Sequence, residues 1–199
     1  PPTMLLRSGP PEALGWSAPD WLFSGGEPRR LERGDVIAAE IFSVYGAMES
    51  QQQIAVAIGE PSAVHRDLAD VARASYDAGL AVLRAGVSFA ELCDTMQRPV
   101  AEAGCWNVGP LVQTVGPVVL NSAMCVGIDE QPELAGLPLP SPIPRDGDVV
   151  LAAGTVLAFE PNALRGKQRV CIGGTVIVTE NGYEELNTVP CRLNVSAPC

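Results

Sequence analysis

Two segments of this chain repeat one pattern of small, apolar and acidic positions. Leu31-Glu32-Arg33-Gly34-Asp35-Val36-Ile37-Ala38-Ala39-Glu40 reads L-x-x-G-x-V-x-A-x-E, and so does Leu151-Ala152-Ala153-Gly154-Thr155-Val156-Leu157-Ala158-Phe159-Glu160. Each is a glycine turn feeding a run of small and β-branched residues, which predicts a strand. A strand apolar on both faces is normally buried. Each copy therefore carries a carboxylate into apolar surroundings, where an isolated charge is costly. Two such carboxylates point to a site, and the repeat points to a domain built from two similar halves.

The remaining patterning fills in an α+β domain. Residues 1–30 are rich in Pro and Gly, with one apolar run at Met4-Leu5-Leu6, as in an edge strand followed by a long loop. Residues 35–44 and 47–58 read as two strands joined at Tyr45-Gly46, a hairpin. A two-residue turn there sets Glu40 opposite Gln51 on one face. Apolar residues then recur at helical spacing over 62–84, through Leu68, Val71, Ala72, Ser75, Gly79, Leu80 and Leu83, up to Gly86. Ser88 and Glu91 form a capping box for a second helix, with Phe89, Leu92, Met96 and Val100 on one face and Gly104 at its end. Residues 107–130 read as short strands and turns. Residues 136–147 carry four prolines, which predicts a surface loop. The second decapeptide follows, then a strand over 170–178 and a turn at Asn181-Gly182. The main domain is expected over 31–190, with 1–30 an N-terminal strand and loop region and 191–199 a C-terminal tail.

The balance of 13 basic against 23 acidic residues, net −10, argues against nucleic acid and anionic membranes as partners. No apolar run approaches the roughly 18–20 residues of a membrane span. The six cysteines, Cys93, Cys105, Cys125, Cys171, Cys191 and Cys199, show no C-x-x-C and no zinc spacing. They read as reduced, mostly buried thiols of a cytoplasmic protein.

Several short marks occur in a familiar order: Gly34-Asp35 before the first carboxylate strand, Tyr45-Gly46 in the hairpin, Ile128-Asp129-Glu130-Gln131-Pro132, Glu160-Pro161, and Val176-Ile177-Val178-Thr179-Glu180-Asn181-Gly182. From about Leu31 to Leu186 the chain resembles the pita-bread fold shared by creatinase, aminopeptidase P, prolidase and methionine aminopeptidase. The resemblance implies an antiparallel sheet with helices on one face, an internal pseudo-twofold, and, from the creatinase branch, a homodimer. The family's usual helices before the first strand are missing, and the chain opens Pro-Pro without Met, as a truncated or processed chain would.

The family's peptidases hold two metal ions with two Asp, one His and two Glu. Carried across, the first Asp falls on Glu40, and the second on Gln51, or on Ser50 if a bulge shifts the register. The His falls in the segment Asn121 to Cys125, most simply on Ser122. The two Glu fall on Glu160 and Gly173, and an additional catalytic His falls on Asp129. Two carboxylates, an amide and a serine cannot surround two hard divalent ions. No metal and no other cofactor is therefore expected. The single histidine, His65, is expected at a solvated helix end far from the carboxylates, and Cys125 reads as packing.

Two function classes follow. In the first, a catalytically degenerate domain binds a small amine- or guanidine-bearing molecule, a peptide or a protein partner through Glu40, Gln51, Gln53, Ser122, Asp129 and Glu160. In the second, Glu40, Glu160 and Asp129 act as acid and base in a metal-free creatinase-like hydrolase or lyase acting on a C–N bond. An X-Pro metallopeptidase ranks below both. The loss of both family histidines favours the first.

Overall fold

A computed structural model describes residues 3–9, 30–46, 48–116 and 119–196. Strand β1 (Thr3–Gly9) is followed by β2 (Val36–Tyr45) and β3 (Met48–Ala57), then helices α1 (Ala63–Val82) and α2 (Phe89–Glu102). After β4 (Val112–Thr114) come two short 3-10 turns, Ile128–Glu130 and Pro132–Leu134. The chain ends with β5 (Val156–Phe159), β6 (Asn162–Arg165), β7 (Gln168–Cys171), β8 (Gly173–Val178), β9 (Tyr183–Glu185) and β10 (Leu193–Val195). The main sheet runs β1-β2-β3-β8-β5-β4, with β9 added on β8 and β10 on β3, while β6 and β7 form a separate hairpin. The pairings are antiparallel except β10 on β3. The segments set apart as the N-terminal region and the C-terminal tail each add a strand to this sheet; the loop expected after the first strand falls outside the described residues.

The repeated decapeptides fold alike down to individual hydrogen bonds. Gly34 and Gly154 both take positive φ, +94° and +88°. Gly34 N donates to Ile58 O and Ile58 N to Asp35 O; Gly154 N donates to Val178 O and Val178 N to Thr155 O. The offset between the copies is constant through these bonds. Strand order repeats the relation, because β2 flanks β3 on one side of the centre and β5 flanks β8 on the other.

The hairpin register differs from expectation. Tyr45 pairs with Met48, so the turn lies between these two residues, and Glu40 lies opposite Gln53 while Gln51 lies opposite Phe42. Ala47 itself is outside the described residues. The physical reason is the turn: Gly46 has φ +62°, a conformation cheap only for glycine, while Tyr45 extends the strand. Moving the turn by one residue moves each partner by two, which keeps every side chain on its face.

Both helices start where their caps predict. Ser62 Oγ accepts from His65 N at 3.2 Å, and Ser88 Oγ from Glu91 N at 3.1 Å. His65, expected in solvent, is buried, with Nδ1 2.8 Å from Ser62 Oγ, because it stands on the inward stripe of α1 with Leu68 and Ala72. Leu68, Ala72, Ser75 and Tyr76 of α1 join Phe89, Leu92 and Met96 of α2 in the interior. Tyr76 meets Phe159 edge to face, ring centres 5.6 Å apart. This contact fixes the end of β5, the strand that delivers the next residue, Glu160.

Candidate functional site

The two repeated glutamates converge. Extending the β5–β8 register by one residue past Phe159↔Gly174 aligns Glu160 with Gly173, and Gly173 pairs with Gln53, which pairs with Glu40. One row of the sheet therefore reads Glu40, Gln53, Gly173, Glu160. Gln53 Nε2 donates to Glu40 Oε1 at 2.8 Å and to Glu160 Oε2 at 3.2 Å. The other Glu160 oxygen accepts from Gln113 Nε2 on β4. Gln113 Nε2 also lies 3.4 Å from Gln51 Oε1, and Gln51 Nε2 donates to Glu49 Oε1 at 2.9 Å. Alternation along β3 sets Glu49, Gln51 and Gln53 on one face, which makes this chain of amides continuous.

Burial sets the electrostatics. It pushes the Glu160 carboxyl well above its ordinary range; the Glu40 charge pushes the same way, against the Gln113 N–H and the Arg169 guanidinium. Glu40 is raised as well, by burial first, against the Gln53 hydrogen bond and Arg169, with Glu49 adding to the rise. Cys171, whose Sγ lies 3.7 Å from Glu160 O, is pushed up to about 12 by burial. Arg169 on β7 is thus an internal cation whose field acts on both carboxyls.

Other candidate residues take other places. Ser122 is buried, and its Oγ accepts from Leu111 N at 2.7 Å and Val112 N at 3.3 Å, which anchors the β4 segment. Asp129 is exposed in the 3-10 turn Ile128–Glu130 and has no hydrogen bond to the carboxylate pair. Cys125 is buried at φ +56°, its Sγ 3.6 Å from Val108 O. Sequence reading had not singled out Gln113, Arg169 or Glu49. The signal for Gln113 is an amide beside Thr114 within the otherwise apolar Leu111-Val112-Gln113-Thr114-Val115, and for Glu49 it is the start of the polar run Glu49-Ser50-Gln51-Gln52-Gln53 inside a strand. A cleft of about 300 Å³ opens beside this network, lined by Val44, Met48, Glu49, Gln51, Gln113 and Val119 among others.

A family model for metallopeptidase family M24 matches residues 6–180. The chain belongs to metallopeptidase family M24. Solved structures with the same fold include X-Pro aminopeptidase from Thermotoga maritima MSB8, 23% identical, TM-score 0.68, matched over 97% of this chain and 49% of that one. Prolidase from Pyrococcus furiosus is 21% identical, TM-score 0.69, over 94% and 49%. Xaa-Pro dipeptidase from Bacillus anthracis is 19% identical, TM-score 0.70, over 97% and 48%. At these identities the likeness establishes the pita-bread fold, and the chain spans about half the length of these structures. No curated protein gave a sequence match.

Membership in M24 raises the question of a metal pair, and the donor set here does not fit one. Of the five ligand positions carried over by resemblance, Glu40 and Glu160 are carboxylates whose facing partners are amide N–H donors, hydrogens directed at the oxygens a metal would use. Gln51 is engaged by Glu49 and Gln113, and Ser122 by backbone N–H groups. At Gly173 a Cβ would lie 1.9 Å from Phe159 O, so no side chain fits there. Among the described residues no three of His, Cys, Asp and Glu converge. Hard divalent ions take several oxygen or imidazole ligands each.

Proposed function

We propose that this M24 chain is metal-independent and catalytically degenerate, and that it binds a small amine-bearing or peptide-like ligand in the cleft beside Gln51 and Gln113. One observation carries the reading: a single amide nitrogen of Gln53 is shared between Glu40 and Glu160, where the family's peptidases place metal. Amides replace metal as the partners of the buried carboxylates, and a proton on the pair lowers the remaining charge. The similar solved structures include an X-Pro aminopeptidase and a prolidase, the matching family is one of metallopeptidases, and this donor set does not offer the ligands of a metal pair. A homodimer belongs to the same reading, as does a cytoplasmic location, which suits the free thiols. No helix among the described residues is long and apolar enough to cross a membrane.

Elemental analysis of the purified protein, with melting curves in Mn, Co and Zn, tests it. The expected result is no stoichiometric metal and no rise in Tm, because a ligand that binds only the folded state must raise it. One or two metals per chain that vanish in Glu160→Gln would overturn it and restore the X-Pro metallopeptidase reading.

One observation favours a second reading, a metal-free hydrolase or lyase acting on a C–N bond. The raised Glu160 carboxyl holds its proton at higher pH than a free carboxyl, which a general acid requires. Turnover of creatine-like or X-Pro substrates that disappears in Glu160→Gln would establish it.

A further inference from the structure

The cleft and the acid pair are adjacent but distinct. Glu160 is 8% exposed, and both its oxygens accept from amides on the sheet. Arg169 already acts on both carboxyls of the pair. Among the described residues lining the cleft, the one ionisable side chain is Glu49. It is half-buried, and among the described residues it makes one hydrogen bond, through Oε1 to Gln51, and no ion pair with Lys or Arg. Around it stand aliphatic walls, Val44, Met48, Val115 and Val119, of which Val44, Met48 and Val119 are 56%, 63% and 50% exposed. Gln51 and Gln113 line the same cleft as amides.

We infer that Glu49, and neither carboxylate of the buried pair, is the counter-ion of the ligand, and that the cleft selects a short aliphatic primary amine. This rests on the reading that the cleft binds an amine. A carboxylate on an apolar-walled cavity discriminates by charge at one end and by alkyl length at the other. An ammonium offers three donors to Glu49 Oε2 and to the amide oxygens beside it, while its alkyl chain covers valine and methionine side chains that otherwise face water. About 300 Å³ is at the small end of ligand cavities, which suits an amine of a few carbons or the first residue of a peptide. Glu49 also transmits the binding event. Gln51 connects it to Gln113, and Gln113 to Glu160; separately, the Glu49 charge raises the Glu40 carboxyl, and an ammonium on Glu49 offsets that charge.

The probe is n-butylammonium chloride, with n-butanol and sodium butyrate as neutral and anionic matches, titrated into the intact chain and read by calorimetry and by Tm. The expected order is butylammonium over ethylammonium, with no binding of butanol or butyrate. Glu49→Gln should raise the butylammonium Kd by about tenfold or more, the loss of a charge-assisted hydrogen bond. Glu102→Gln, an equal charge removal at the exposed end of α2, should leave it unchanged. Should Glu49→Gln prove misfolded by circular dichroism, Val119→Asp and Val44→Thr test the wall instead, and both should erase the preference for butyl over ethyl. If Glu160→Gln abolishes binding and Glu49→Gln does not, the inference falls while the amine-binding reading stands. If no amine binds the wild-type chain, the amine-binding reading falls and takes the inference with it.

Discussion

Glu40 and Glu160 accept hydrogen bonds from the same nitrogen, Nε2 of Gln53, at 2.8 and 3.2 Å. Each comes from one copy of a repeated segment, and Gln53 stands between them on β3. The symmetry-equivalent place on β8 is Gly173, with no side chain at all, so a single residue serves both halves. The pair is therefore satisfied asymmetrically. Glu160 gains a second donor, Gln113, and Glu40 is the more accessible member.

That shared donor makes Gln53 a position on which both carboxyls of the pair depend. Gln53→Ala leaves two inward-facing carboxyls without it, and an unsatisfied buried polar group costs about 1–3 kcal/mol. Urea denaturation should show a loss of that size. Gln52→Ala is a useful comparison, because Gln52 Nε2 donates to the carbonyls of Gln53 and Gly173 and does not reach the acid pair.

The raised carboxyls fix the sign of the pH dependence. A carboxyl whose folded pKa exceeds its unfolded value near 4.5 binds its proton more tightly in the native state. The unfolded chain then releases that proton first as pH rises, and stability falls through the interval between the two values, by at most about 1.4 kcal/mol per pH unit per group. Glu160→Gln keeps the shape of a protonated carboxyl without a titration. Its stability relative to wild type should therefore climb from about pH 4.5 upward. A flat difference between pH 4 and pH 8 would show that Glu160 does not titrate above its unfolded range.

Arg169 acts in the opposite sense. Its guanidinium lowers both carboxyls, so Arg169→Met should raise their folded values further and widen the interval in which stability declines. The variant should lose more stability at pH 8 than at pH 5, measured by urea midpoint. Equal losses at both pH values would mean that Arg169 serves packing alone.

Gly173 cannot be restored to a ligand. Its φ is +143°, and a Cβ would lie 2.8 Å from Phe159 C as well as against the carbonyl oxygen. Gly173→Ala should cost about 2 kcal/mol or more, from backbone strain and overpacking together. Gly173→Glu should fare worse and bind no Mn or Co. A Gly173→Ala protein with an unchanged Tm would contradict the close β5–β8 approach.

Local patterns in the sequence determined much of the architecture. The repeated decapeptides specify two turn-and-strand units because glycine and β-branched residues act over a few positions. Ser62 and Ser88 locate the helix starts because a cap is a contact between residues three apart. The residue types at the positions carried over by resemblance, Gln51, Ser122 and Gly173, were equally legible, since they concern residue chemistry alone. Tertiary structure decided the rest. The hairpin register depended on whether Tyr45 or Gly46 opened the turn, a difference that leaves the alternating pattern unchanged because a two-residue slip preserves the faces. The partners of Glu160 come from β3 and β4, far away in the chain and adjacent only after β3 pairs with β8 and β4 with β5. Gln113, Glu49 and Arg169 carry no local signature, because their roles arise from sheet pairing and burial, which couple residues across the whole fold.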